Sequence, residues 1–210
     1  MSELAGFTYV HRAGTAGHHL MLFHGTGGDE HDLLDVGEFV APGATLISPR
    51  GRAPEGALNR WFARLAPGVL DEDDIKRRAA EVADFVAAAR NEHKIGGGQL
   101  WALGYSNGAN IIAAALLLHG AIFDGAVLLR PMLPLQVATP PSLEHLPIYL
   151  AGGTRDGMIP PGSAQALATT LEATGADLLQ AWRETGHMLE PDELDAVREW
   201  LAGYQSKRSR

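Results

Sequence analysis

The chain has 210 residues, 46% of them hydrophobic and 20% charged, a length and balance that suit one globular domain with a sizeable buried core. Its formal net charge of -8 argues against a nucleic-acid partner, because phosphate backbones require clustered Lys and Arg. With no cysteine, disulfides, thiolate metal sites and a Cys nucleophile are all excluded.

The N-terminal MSELAGFTYVHR lacks the basic-then-apolar pattern of a signal peptide, and the longest apolar run, IIAAALLL, is far too short to span a bilayer. A cytoplasmic protein with no membrane partner is expected. FTYVHR predicts an added edge strand ahead of a core that runs from about residue 18 to 203. HLMLFHG, ATLISPRG, QLWALGYS, DGAVLLRP, PIYLAGG and DLLQAWRE then follow in order, each a short apolar run bounded by turn signals, as buried strands are. Between them lie helical patterns. DEDDIKRRAAEVADFVAAARNEH carries acids in its first turn and an apolar face of Ile75, Val82, Phe85 and Val86. GANIIAAALLLHG is apolar nearly all round and ends at Gly120; PPGSAQALATTLEATG and PDELDAVREWLAGY each begin at Pro and close at or near Gly. The terminal KRSR reads as a frayed tail.

Alternation of strands and helices predicts an α/β fold with a mostly parallel sheet covered on both faces. In such sheets chemistry gathers beyond the carboxyl ends of the strands, so a catalytic residue must follow a strand.

LGYSNGAN places Ser106 between Gly104 and Gly108, where a strand hands over to a helix. A G-x-S-x-G pattern arises by chance roughly 0.1 times in a chain of this composition, so position carries more weight than the pattern. The strand–turn–helix setting is that of a nucleophile elbow, in which a strained turn presents the hydroxyl. The competing reading is a serine that merely caps the helix.

A serine hydroxyl needs a base to take its proton. Among the histidines after Ser106, His119 closes a helix and His145 precedes a strand, both at the wrong edge. His187, in ETGHMLE after DLLQAWRE, is at the right one. Asp124 and Asp177 precede strands, and Glu172 lies within a helix. Asp156, in GGTRDGMIP after PIYLAGG, follows one and is the candidate to orient His187, whereas Glu184, also near the correct edge, is so close to His187 in sequence that it would have to fold back. The backbone N–H of Asn107 and that of Thr26, in the Gly-rich HGTGGDE loop, are the candidate oxyanion donors.

These segments resemble the α/β-hydrolase superfamily, and within it the phospholipase/carboxylesterase group that includes acyl-protein thioesterases. HGTGGDE is similar to its oxyanion loop, GYSNG to its elbow, GTRDGMIP to its acid loop and TGHMLEPDEL to its histidine loop; SPRG and NRWFARL look like the small bacterial carboxylesterases. The resemblance implies an α/β-hydrolase fold without a large lid domain and a Ser106–Asp156–His187 triad with no cofactor. The implied activity is serine-dependent hydrolysis of small or medium-chain soluble carboxylic esters through an acyl-enzyme. Thioesterase or lysophospholipase activity on the same triad, or a non-catalytic binding protein, are the alternatives. Asn107 stands where acyl-protein thioesterases have Gln, which sets the chain apart from protein deacylases. A homodimer is implied by the group alone.

The short, proline-rich connection from Arg130 to Pro147 predicts an open site. Met132, Met158, Ile159 and Met188 flank the catalytic loops as candidates for an acyl pocket, with Trp61 beside them. Arg50 or Arg60 is a candidate reader of an anionic group, the alternative being structural ion pairs. A dinucleotide site is disfavoured because GTGGDE lacks the third glycine of G-x-G-x-x-G. No metal site is expected from His24, Asp29, His31 and Asp32, which share no helical face.

Overall fold

The computed structural model describes residues 2–66, 69–96 and 100–208. Its centre is an eight-stranded sheet in the order β1(Ser2–Leu4), β2(Phe7–Arg12), β4(Thr45–Pro49), β3(His19–Phe23), β9(Leu100–Tyr105), β10(Gly125–Leu129), β11(Pro147–Gly153) and β12(Asp177–Arg183). From β4 to β12 every neighbouring pair is parallel, whereas β1 and β2 add antiparallel pairs at one edge. The FTYVHR segment is therefore not the edge: β1 covers it. Phe7 and Tyr9 of β2 are also buried, so the core begins ahead of residue 18.

The central strands have two buried faces, and alternate side chains divide between two apolar layers. In β9, Leu100 and Ala102 enter one layer while Trp101 and Leu103 enter the other; Ala126 and Leu128 against Val127 and Leu129 repeat this in β10. The first layer is closed by α2(Glu72–Glu92), α3(Asn107–His119) and α4(Ser163–Ala173), the second by α1(Leu34–Val40) and α5(Pro191–Arg208). Each fully buried Leu or Phe contributes about 1.5–3 kcal/mol relative to exposure, so these layers hold the strand ends level.

Helix α2 starts at Asp71, whose carboxylate accepts the Asp74 N–H, with Glu72, Asp73 and Asp74 following. Its predicted face is buried, with Ala79 and Ala89 added. α3 is buried almost all round and stops at Gly120, whose φ of 80° no helix continues. α5 runs on through Lys207 and Arg208, so this half of the basic tail is helical; Ser209 and Arg210 lie outside the described residues. Two small hairpins that the apolar pattern does not reveal, β5(Ala53–Glu55) with β6(Leu58–Arg60) and β7(Arg64–Ala66) with β8(Val69–Leu70), sit between β4 and α2. No helix or strand interrupts the connection from Arg130 to Leu146, and no large lid domain covers the sheet. No helix among the described residues is long and apolar enough to cross a membrane.

Candidate active site

The parallel strands finish level with one another: Phe23 is opposite Gly104, Tyr105 opposite Leu129, and Gly153 opposite Arg183. Loops leaving these ends therefore converge on one rim. Ser106 follows β9 with φ 53° and ψ −116°, a conformation that costs a non-glycine residue about 1–3 kcal/mol. Surrounding packing enforces it. A Cβ on Gly108 would lie 1.9 Å from the Phe23 carbonyl oxygen, and one on Gly104 would lie 2.6 Å from the Ala109 nitrogen. The two glycines let strand and helix approach until the turn between them has no relaxed path. The Ser106 N–H donates to Leu129 O at 2.8 Å, and its side chain makes no capping bond. It is not a cap.

The freed hydroxyl meets His187: Nε2 and Ser106 Oγ are 2.8 Å apart. His187 Nδ1 is 2.7 Å from Asp156 Oδ2, and the Asp156 side chain is buried. The other Asp156 oxygen accepts the Met158 N–H at 2.9 Å, which fixes the carboxylate plane. With that carboxylate facing Nδ1, the proton sits on Nδ1 and leaves Nε2 free to accept from Ser106. Three side chains separated by up to 81 residues thus share one hydrogen-bonded line.

Thr26 and Asn107 border the same cavity as Ser106 and His187. Neither backbone N–H has a partner among the described residues, while the neighbouring amides of Gly27 and Gly28 are bonded to Asn59 O and Gly25 O. Unpaired amides beside a hydroxyl are uncommon and are available to an anion. The Asn107 side chain has a different job: its Oδ1 accepts the Trp61 N–H at 2.7 Å and ties the loop before α2 to the elbow. His24 fixes the other loop, with Nδ1 donating to Gly25 O at 2.7 Å and Nε2 accepting from Gly51 N at 2.9 Å. Burial holds its pKa below the ordinary histidine value, against the opposing pull of Gly25 O and nearby acids.

The pocket expectations divide. Arg60, Met132, Met158 and Ile159 line the cavity, which is about 100 Å³. Trp61 does not. Only 1% exposed, it packs against Phe7 and Phe23 and donates its indole N–H to His24 O, so it is core. Arg50 is also elsewhere: Nε and Nη2 grip the two oxygens of buried Glu30 at 2.5 and 2.6 Å, a structural pair that also lowers the Glu30 pKa. Met188 lies outside the cavity wall, is 75% exposed, and only its carbonyl is engaged. A larger cleft of about 340 Å³, bordered by Trp101, His145 and Pro147, opens at the opposite edge, far from these strand ends.

Two supporting residues escaped the sequence reading. Tyr105 donates its hydroxyl to the His187 carbonyl at 3.1 Å. Arg130, fully buried after β10, donates to the carbonyls of Gly186 and Met188 at 2.9 Å each and pairs with Glu193. An arginine directly after a strand on the active edge, with a glutamate just past the histidine loop, is the signal that could have exposed it.

Residues 7–204 match the phospholipase/carboxylesterase family. The chain is 38% identical over 192 residues to the Bacillus subtilis protein named "Putative hydrolase MhqD", covering 91% of this chain and 96% of that one. The structure of a Bacillus cereus carboxylesterase has a TM-score of 0.87 at 36% identity, covering 93% of each chain. A Mesorhizobium loti carboxylesterase has a TM-score of 0.90 at 33% identity, with 97% of each chain covered. Family match, relatives and sheet agree: this chain belongs to the phospholipase/carboxylesterase family and is a hydrolase of the α/β-hydrolase fold.

Proposed function

We propose that the protein is a serine carboxylesterase acting on small to medium-chain soluble esters through an acyl-enzyme on Ser106. The observation that carries this reading is the unbroken line from Asp156 through His187 to Ser106, at 2.7 and 2.8 Å. His187 Nε2 takes the Ser106 proton as Oγ attacks the ester carbonyl carbon, and the carbonyl π pair moves onto oxygen. That oxyanion accepts from the Thr26 and Asn107 N–H groups, already free and beside the helix N-terminus. Asp156 stabilises the imidazolium without taking its proton. The intermediate collapses, the bond to the alkoxy oxygen breaks, and Nε2–H protonates the departing alcohol. Water then repeats the sequence on the acyl-serine, giving the acid and restoring Ser106.

The size of the cavity favours short acyl groups, and Met132 and Ile159 give it an apolar wall. A panel of 4-nitrophenyl esters from acetate to laurate tests this reading. Turnover by wild type, strongest on the short chains and lost in Ser106→Ala, is expected. A flat response across the panel, or equal rates in the variant, would overturn it.

A further inference from the structure

We propose that Arg60 and Arg64 form an anion subsite beside Ser106, so that the preferred substrate is a short ester whose acyl part ends in a carboxylate. This rests on the esterase reading of the same site.

The two hairpins after β4 bring Arg60, at the end of β6, and Arg64, at the start of β7, to the cavity that holds Ser106 and His187. No Asp or Glu borders that cavity among the described residues. A single carboxylate serves both arginines: Glu55 Oε2 lies 3.1 Å from Arg60 Nη1, and Glu55 Oε1 lies 2.7 Å from Arg64 Nε. Two cations on one acid leave a positive surplus at the wall of a protein whose net charge is -8. Arg50 and Arg130, by contrast, each grip both oxygens of one buried acid, Glu30 and Glu193.

Arg60 is also incompletely satisfied. Its side chain is only 7% exposed. Nε donates to Phe62 O at 3.1 Å, and Nη1 donates to Thr26 Oγ1 at 3.0 Å as well as to Glu55. Nη2, with two N–H groups, has no partner among the described residues. Nη2 is not among the side-chain atoms sealed from solvent, so its donors are open to a ligand that fills them. A carboxylate does so in the geometry guanidinium favours, with parallel charge-assisted hydrogen bonds. The small cavity limits the spacer between this carboxylate and the reacting carbonyl to a few methylenes. The same lining includes Met132, Met158 and Ile159, which carry no charge and suit the methylene spacer.

The test compares 4-nitrophenyl hydrogen glutarate with 4-nitrophenyl valerate, equal in chain length and unequal in charge, each corrected for spontaneous hydrolysis. Wild type is expected to favour the glutarate in kcat/KM. Arg64→Gln and Arg60→Gln are each expected to lower that ratio roughly tenfold to a hundredfold, the effect of losing a charge-assisted hydrogen bond. Calorimetry with free glutarate and neutral glutaramide gives a second readout on the Ser106→Ala protein: glutarate binds, the diamide does not, and Arg64→Gln weakens the first. An unchanged ratio in both variants, or no glutarate binding, would overturn the subsite. Valerate hydrolysis that disappears in Ser106→Ala would then leave the esterase reading intact. Glutarate binding without hydrolysis of either ester supports the subsite and overturns the esterase.

Discussion

Arg130 and Glu193 form a buried, two-point ion pair, Nη1 to Oε1 at 2.8 Å and Nη2 to Oε2 at 2.6 Å, with side chains 0% and 2% exposed. The arginine's remaining donors hold Gly186 O, Thr185 Oγ1 and Met188 O, and Glu193 also accepts the Glu190 N–H. The pair brackets His187 from both sides. Burial would raise the Glu193 pKa, but the bonds from Arg130 and Glu190 N–H and the nearby guanidinium charges outweigh it and hold the carboxyl below its ordinary value. Arg130→Met leaves this carboxylate buried without its two-point partner, with only the Arg183 guanidinium 3.9 Å away, at a cost of up to about 3–5 kcal/mol in urea unfolding. Arg130→Met combined with Glu193→Leu is expected to recover much of that stability but little kcat, because the carbonyls flanking His187 still lack their donors. Recovery of stability and activity together would show that Arg130 does not position the histidine.

Asp156→Asn keeps the shape of the acid loop but removes the charge that faces His187 Nδ1 at 2.7 Å. Its amide group competes for the wrong tautomer, and kcat is expected to fall by about 10⁴ with KM little changed. Steady-state kinetics on one short ester decide it. A loss under tenfold would remove Asp156 from the proton-transfer line.

The strain at Ser106 yields a stability prediction independent of turnover. Ser106→Gly and Ser106→Ala both delete the hydroxyl, but only alanine keeps a Cβ at φ 53°. The glycine variant is expected to be the more stable of the two by about 1 kcal/mol, the relief of that strain. Thermal unfolding of both proteins reads the difference, and equal midpoints would mean that the elbow is relaxed.

His24 links acid stability to the site. Burial lowers its pKa below the ordinary 6.5, so the unfolded chain takes up a proton that the folded one refuses. The contribution is fully present above pH 6.5; it begins to be lost as pH falls below that value and continues down to the lowered folded value. Urea midpoints are expected to drop between pH 7.5 and 5.5. His24→Gln should flatten the slope in part, since burial also lowers His18 and His93. An unaltered slope in His24→Gln would assign the effect to other groups.

The six central strands and the helices α2 to α5 were legible because their apolar periods are unambiguous. The meeting of Ser106, Asp156 and His187 was legible for a related reason: strand ends locate the rim, where one serine and one histidine qualify, and Glu184, the other acid after a strand, stands too close to His187 in sequence. What escaped has little apolar signature. Helix α1 is seven residues long with Gly37 inside it, and the hairpins of residues 53–70 have strands of two or three residues. The pocket was read least well because one-dimensional proximity does not say which way a side chain turns. Trp61 and Arg60 are neighbours in sequence, yet one enters the core and the other faces the cavity. Arg50 found a buried acid 20 residues upstream that no local pattern announces.

Treatment with a fluorophosphonate, followed by intact-mass measurement and peptide mapping, addresses the Ser106 nucleophile most directly. One adduct per chain on Ser106, formed in step with loss of ester hydrolysis and absent from Ser106→Ala and slowed in His187→Ala, is the expected result. An adduct on another residue, or full ester hydrolysis by a protein quantitatively modified at Ser106, would contradict it.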